Sequence, residues 1–132
     1  MSTGKNSLQK ILVVEEVKEF CDGINDLLTA DGYRITTAKD EPDAVETARH
    51  ESPDLILVCL GEPPPDLVSA VVRIREQAGL SDEVPIVVFC IKAVAEGEEV
   101  AYENHVHVIS PDNFNHLRRF LKRLLPTPPI TH

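Results

Sequence analysis

Short, continuously apolar runs alternate along this chain with longer stretches of mixed polarity. The runs at 11–14, 55–60 and 85–91 lack charged residues, and the first two end at an acidic and a turn residue respectively. Runs of this length, bounded in this way, are typical of strands buried on both faces of a parallel sheet. A β-rich alternating stretch at 33–38 and a shorter run at 106–109 predict two further strands.

The stretches between these runs carry apolar residues at helical spacing. They predict five helices, at 18–30, 40–51, 66–78, 92–103 and 113–125. Asp40 and Pro42 indicate the start of the second helix, as a capping residue and a first-turn proline. Asp31-Gly32 indicates the end of the first. The segment 92–103 is only weakly helical, because it is acidic and contains Gly97.

Strands that alternate with helices over short connections predict an α/β fold, with a parallel sheet covered on both faces. Right-handed crossovers then favour a doubly wound, flavodoxin-like, five-stranded sheet with strand order 2-1-3-4-5. We predict one domain at 10–125, preceded by a disordered lead at 1–9. The proline-rich tail at 126–132 would suit a linker.

Composition narrows the functions that this domain can have. The chain has 132 residues and a net charge of -9, so it is poorly suited to binding nucleic acid by itself. No apolar run approaches the roughly 20 residues of a membrane helix, and the N-terminus lacks the apolar core of a secretory signal. A cytoplasmic location is therefore expected. The three cysteines are too few and too scattered for a disulfide framework.

The carboxyl ends of parallel strands are where open α/β sheets place their chemistry. In the predicted topology, this edge of the sheet gathers Glu15, Glu16, Cys59, Cys90, Ser110 and Pro111.

Several motifs in and around this set resemble the receiver domain of two-component response regulators. They are the stretches 11–16, 32–33, 53–60 and 85–90, Pro63 with Asp66, and Ser110-Pro111. The resemblance covers about 9–125, and the chain is about two residues short between Cys90 and Ser110. It implies a receiver fold and a role in two-component or phosphorelay signalling.

The resemblance also implies that the active residues are degenerate. Receivers carry an acidic pair for Mg²⁺ after the first strand, usually aspartates, and here the pair is Glu15-Glu16. Cys59 stands in place of the phosphoacceptor aspartate, and Cys90 in place of a serine or threonine that binds the phosphoryl oxygens. Ser110 replaces a lysine, and His107 takes the position of a rotating aromatic residue.

An aspartyl phosphate needs a carboxylate nucleophile and cations that neutralise the phosphoryl group. Cys59 offers a soft thiol, whereas Mg²⁺ prefers hard oxygen ligands. We therefore predict that Mg²⁺ binding is weak or absent, that Cys59 is not phosphorylated, and that the domain is not an enzyme. It would act as a protein-interaction module, without a cofactor.

Three alternatives use the same edge of the sheet. Cys59 and Cys90 could form a redox-sensitive disulfide, although buried thiols that fill a collapsed pocket are favoured. Glu15, Glu16 and Cys59 could weakly hold a metal such as zinc, with His105 or His107. A small ligand could occupy the flavodoxin-like crevice, but the chain has no glycine-rich phosphate loop after the first strand.

The last predicted helix carries a basic stripe of Arg118, Arg119, Lys122 and Arg123. The preceding acidic stretch contains Glu96, Glu98, Glu99 and Glu103. A homodimer through the fourth helix, fifth strand and fifth helix would pair the two, as the resemblance to receivers also suggests. The stripe could equally be an ordinary solvated face. Another signalling protein or a second copy is the expected partner, and His107 is either part of that surface or a half-buried histidine. We expect His105 and His116 to lie on the surface.

Overall fold

A computed structural model describes residues 9–15, 18–59, 65–89, 98–102, 105–110 and 114–125, with no side-chain account at 18–22 and 114. Its strands are β1 (Lys10–Glu15), β2 (Arg34–Ala38), β3 (Leu55–Cys59), β4 (Ile86–Phe89), β5 (Glu99–Tyr102) and β6 (Val106–Ile109). Its helices are α1 (Lys18–Ala30), α2 (Glu41–Glu51), α3 (Leu67–Gln77) and α4 (Phe114–Leu124). The tail predicted at 126–132 lies outside these residues, as does the lead predicted at 1–9 except for Gln9.

The six strands form one sheet in the order β2-β1-β3-β4-β6-β5. Five of them, β2-β1-β3-β4-β6, are parallel and follow the predicted order 2-1-3-4-5. Helices cover both faces, as a parallel sheet requires. The α/β, flavodoxin-like prediction is therefore confirmed, and the sheet has one strand more than predicted.

The additional strand, β5, corrects the predicted helix at 92–103. Glu99–Tyr102 pairs antiparallel with β6 at the edge of the sheet, in the register Val100 to Val108. A four-residue strand at an edge depends on pairing with its neighbour more than on its own β-propensity. The acidic composition of this segment therefore gave no strand signal. Residues 92–97 lie outside the described part of the chain.

Alternation along the central strands divides the core into two layers. Leu12 and Val14 of β1 face the layer under α2 and α3, together with Ile56 and Val58 of β3. Ile11 and Val13 face the opposite layer, under α1 and α4. Each central strand is thus buried on both faces, which explains its continuous apolar sequence.

The boundaries of α2 follow local chemistry that is readable in the sequence. The Asp40 side chain accepts a hydrogen bond from the Asp43 amide at 3.0 Å, and Pro42 lies in the first turn. The helix ends at Ser52, which adopts a left-handed conformation. At the same end, Lys10 Nζ donates to the Glu51 carbonyl at 3.0 Å. The predicted start of this helix is confirmed.

A buried arginine braces the turn that leads into β4. Arg75 on α3 is 1% exposed, and its Nη1 donates to the Val84 carbonyl at 2.8 Å. Its Nε has no hydrogen-bond partner within the described part of the chain. The apolar pattern of α3 gave no indication that a guanidinium would be buried there. None of the helices in the described ranges is long and apolar enough to cross a membrane.

Candidate functional site

The parallel register brings the carboxyl ends of four strands to one edge of the sheet. Glu15 of β1 pairs with Cys59 of β3, Cys59 pairs with Phe89 of β4, and Phe89 pairs with Ile109 of β6. Neighbouring strands are about 4.8 Å apart. Of the predicted site residues, this edge therefore holds Glu15, Cys59 and, directly after β6, Ser110. Glu16, Cys90 and Pro111 lie outside the described residues.

Cys59 is enclosed by the protein core. It is 0% exposed and belongs to the apolar cluster between the sheet and helices α1 and α4. Its neighbours in that cluster include Leu57 and Ile109. Buried cysteine commonly behaves as a small apolar side chain. The last residue of β3 thus contributes to packing in the layer that it faces.

Glu15 is held by a residue that the sequence analysis missed. Asn25 Nδ2, on α1, donates to Glu15 Oε1 at 2.6 Å. The Asn25 Oδ1 is buried and has no partner among the residues described. This bond directs the half-buried carboxylate toward α1. Nothing in the sequence distinguishes Asn25 from other polar helix positions, so only the three-dimensional contact identifies it.

Ser110 continues β6 and is almost fully buried, with 2% of its surface exposed. Its backbone amide donates to the Glu98 carbonyl at 3.1 Å. The side chain is short and neutral, so it cannot supply a positive charge here. Two arginines of the neighbouring helix α4 bond elsewhere: Arg118 pairs with Asp31, and Arg123 with Glu99.

The donors described at this edge do not fit a magnesium ion. Mg²⁺ demands near-octahedral oxygen ligands, usually carboxylates with water. Glu15 is already bonded to Asn25, and Cys59 offers sulfur within an apolar cluster. Across the ranges that the structure covers, no three His, Cys, Asp or Glu side chains converge as a metal site would require. His107 and His105 lie two and four residues before the end of β6, away from this edge.

A second polar cluster lies where β5 meets α4, and Glu99 is at its centre. His116 Nε2 lies 2.6 Å from Glu99 Oε2, and Arg123 Nη2 donates to both carboxylate oxygens at 2.8 Å. Burial alone would raise the pKa of Glu99, but the bonds from His116 and Arg123 outweigh it and lower that pKa. The expectation that His116 is a surface residue was wrong, because its side chain is only 14% exposed.

His107 lies beside this cluster, in the middle of β6. Its ring meets the Phe120 ring edge-to-face, with centroids 5.7 Å apart. The Arg123 guanidinium lies over the Phe120 ring, 5.1 Å from its centroid. Burial lowers the pKa of His107, His105 adds to this effect, and Glu99 opposes it. His107 is thus half-buried, which is one of the two interpretations that the sequence allowed.

The basic stripe on α4 divides into two pairs. Arg118 makes two hydrogen bonds to Asp31, at 2.6 and 2.7 Å, which hold the pKa of that carboxyl below its usual value. Arg123 bonds Glu99. Arg119 and Lys122 are exposed. Two of the four basic residues are therefore engaged within the chain, which the helical spacing alone could not indicate.

A shallow groove of about 300 Å³ lies on the other helical layer, between α2 and α3. Its lining residues are Glu41, Pro42, Val45, Glu46, Arg49 and Gln77. Arg49 Nη2 donates to the Gln77 carbonyl at 3.0 Å, and so closes part of it. The groove lies in the layer that Cys59 does not face, so it is separate from the strand-end site.

Comparison with known proteins gives the fold its context. No family model matches the chain. The receiver domain of the sensor histidine kinase PA1611 from Pseudomonas aeruginosa PAO1, which holds a magnesium ion in its active-site cleft, is 28% identical. The match has a TM-score of 0.66 and covers 92% of this chain and 100% of that one.

Two further solved structures agree. The chemotaxis response regulator CheY4 of Vibrio cholerae is 21% identical, with a TM-score of 0.68 over 90% of this chain and 100% of that one. The response regulator TrrA of Thermotoga maritima, in complex with the histidine kinase ThkA, gives 19% identity and a TM-score of 0.67. That match covers 90% of this chain and 100% of the other. The fold is therefore that of a receiver domain, as the motifs predicted.

Proposed function

Because this chain has the fold of a receiver domain, we propose that it is a signalling module of the two-component or phosphorelay type that is not phosphorylated. One observation carries the proposal. The end of β3, where receivers present their phosphoacceptor, holds Cys59 at 0% exposure inside the apolar core. A group so enclosed is neither a carboxylate nor accessible to a phosphodonor.

The surroundings of Cys59 support the same proposal. Phosphoryl transfer depends on positioning and on cations that stabilise the developing charge. Glu15 is bonded to Asn25, and Ser110 supplies no charge where receivers place a lysine. A thiol-based redox function has less support, because oxidants reach exposed thiolates and Cys59 is buried.

We propose that partners recognise the surface of the domain, on the side of β6 and α4. That side carries His107, Arg118, Arg119 and Lys122, of which Arg119 and Lys122 are exposed cations in an acidic protein. Exposed cations of this kind suit an acidic patch on another signalling protein or a second copy. The TrrA–ThkA complex is a precedent for a receiver bound to a histidine kinase. Such a module would work in the cytoplasm, without nucleic acid or membrane.

The test is incubation with acetyl phosphate and Mg²⁺, followed by intact-mass measurement. We expect no stable adduct of about 80 Da, the mass of one phosphoryl group. A receiver that is phosphorylated on an aspartate serves as the positive control in the same buffer. An adduct on this chain that hydroxylamine removes, as it removes acyl phosphates, would overturn the proposal.

A further inference from the structure

The outer strand β5 presents backbone groups that the described part of the chain leaves unbonded. In its ladder with β6, the Ser110 amide donates to the Glu98 carbonyl, so the hydrogen-bonded pairs recur at Val100 and Tyr102. The intervening residues, Glu99 and Ala101, must direct their N–H and C=O groups away from β6. These groups lie on the outer edge of the sheet.

Apart from its short length of four residues, β5 carries few of the usual protections of an edge strand. Natural edges are commonly blocked by proline, by lysine or by an exposed charge. β5 reads Glu-Val-Ala-Tyr, and its one charged side chain lies against α4, bonded by His116 and Arg123. Tyr102 is 44% exposed, and it is the large hydrophobic side chain that the described part of the chain leaves on the surface. As far as the described residues extend, this edge is therefore open to pairing.

We propose that β5 of a second copy of this chain pairs antiparallel with β5, with the two-fold axis of the dimer at Val100. Glu99 then lies opposite the partner subunit's Ala101, and the reciprocal pair is formed by symmetry. Each such pair exchanges two hydrogen bonds, so all the outward groups of Glu99 and Ala101 are used. The inference rests on the proposed interaction role and names a second copy as the partner.

Side chains in this register are compatible with close approach. The residues that face one another across the axis are the two copies of Val100, which are apolar and β-branched. Glu99 lies opposite the partner's Ala101, so no like charges are opposed. Tyr102 lies on the same face as Val100 and would cover that contact.

A second copy fits this edge better than the C-terminal segment of the same chain. The C-terminal residues 126–129 read Pro-Thr-Pro-Pro, and proline has no N–H to donate to a ladder. Symmetric pairing also removes the exposed edge of both copies at once, whereas a foreign strand would leave its own outer edge exposed. Glu99 needs no ion pair with the partner subunit in this arrangement, because Arg123 of its own chain already bonds it.

Amide hydrogen exchange on the unmodified protein tests the pairing directly. Between dilute and concentrated samples, the amides of Glu99 and Ala101 should slow by about tenfold or more, as outward groups become bonded. The amides of Val100 and Tyr102 bond β6 in either state, so they serve as internal controls. Sedimentation should detect a dimer over the same range, at low and high salt alike, because its contacts are backbone hydrogen bonds.

A matched pair of variants separates this edge from other surfaces. Ala101→Pro removes an outward donor without removing a bond to β6, and edge strands tolerate proline at such positions. It should be monomeric where the wild type dimerises, while Ala101→Val should still dimerise. A monomeric wild type with unchanged Ala101 exchange would overturn the inference, as would a dimer of Ala101→Pro as tight as wild type. If the proline variant does not fold, amide hydrogen exchange on the wild type alone tests the pairing. The acetyl phosphate measurement is independent, so failure of the proposed function would be recognised separately.

Discussion

The carboxyl end of the sheet and the β5–α4 face differ in how their polar residues are partnered. At the strand ends, Cys59 is packed among apolar side chains, and Glu15 is bonded only to the neutral Asn25. At the β5–α4 face, Glu99 accepts bonds from His116 and Arg123. Charged groups have opposite charges as partners at the second region, whereas Glu15 at the first has none among the residues described.

This difference separates two properties of the fold. The strand ends come together at one edge of the sheet, because the register of four parallel strands is fixed by the core. Geometry alone does not provide phosphoryl chemistry, which requires charge at defined points. The face where β5 and α4 meet does carry paired charges, so we expect specificity to reside there.

Placing an aspartate at the end of β3 is the substitution that we expect to have the largest effect on the contrast between the two regions. Cys59→Asp would place a carboxylate in a fully buried apolar cluster, whose described members include no cation. We expect it to lower the free energy of unfolding by about 3 kcal/mol or more at pH 7, and by less at pH 5, where the acid can be neutral. Urea denaturation at the two pH values measures this.

Cys59→Ala is the matched control, since it removes only the sulfur and should cost about 1 kcal/mol. A Cys59→Asp variant as stable as wild type, or one that Mg²⁺ stabilises, would contradict the account of a collapsed site.

Removing the central carboxylate of the other region should have a smaller effect. Glu99→Gln keeps the shape but loses charge-assisted bonds to His116 and Arg123, and should cost about 1 kcal/mol at pH 7. The pKa of Glu99 is lowered in the folded protein, so its contribution is complete above the ordinary carboxyl pKa. That contribution is lost as the pH falls through the lower folded value.

The difference in stability between wild type and Glu99→Gln should therefore shrink below about pH 4. Glu76→Gln, on the exposed side of α3, provides the control and should leave thermal unfolding unchanged. Equal effects of the two substitutions at pH 7 would show that Glu99 has no special role.

The smallest predicted effect concerns His107. Burial lowers its pKa, so the fold favours the neutral ring, which packs on Phe120 near Glu99, Arg123 and His105. Its stabilising contribution is complete above the ordinary histidine pKa and falls as the pH drops toward the lower folded value. His107→Phe should remove roughly 0.5 kcal/mol of pH dependence between about pH 7 and 5, after allowance for partial solvent exposure. His50→Gln on exposed α2 should leave that slope in place.

Most of the fold could be predicted because its signals are local. The apolar run of β3 and the Asp40 cap of α2 depend on residues within a few positions of one another. β5 could not be predicted in this way. Its four residues follow an acidic segment with Gly97, and they become a strand only because β6 provides a partner.

The candidate site was predictable only in outline. The topology of an open α/β sheet placed Glu15, Cys59 and Ser110 at one edge, and the structure brings these three there. The bond between Asn25 and Glu15 joins residues from different elements, which no periodicity reveals. The same is true of His116, whose position on α4 indicated exposure but whose ring reaches Glu99.

The hairpin geometry of β5 and β6 has a consequence for the order of folding. Tyr102 pairs with Val106, four positions further along the chain, whereas Ile11 of β1 pairs with Leu55, forty-four positions away. The last residue of the hairpin connection, His105, has φ of 57°, the left-handed conformation common at that point of three-residue loops. Loop closure costs less entropy for such local pairs. The β5–β6 hairpin can therefore form before the long crossovers close, and the edge strand would exist while the rest of the sheet is still assembling.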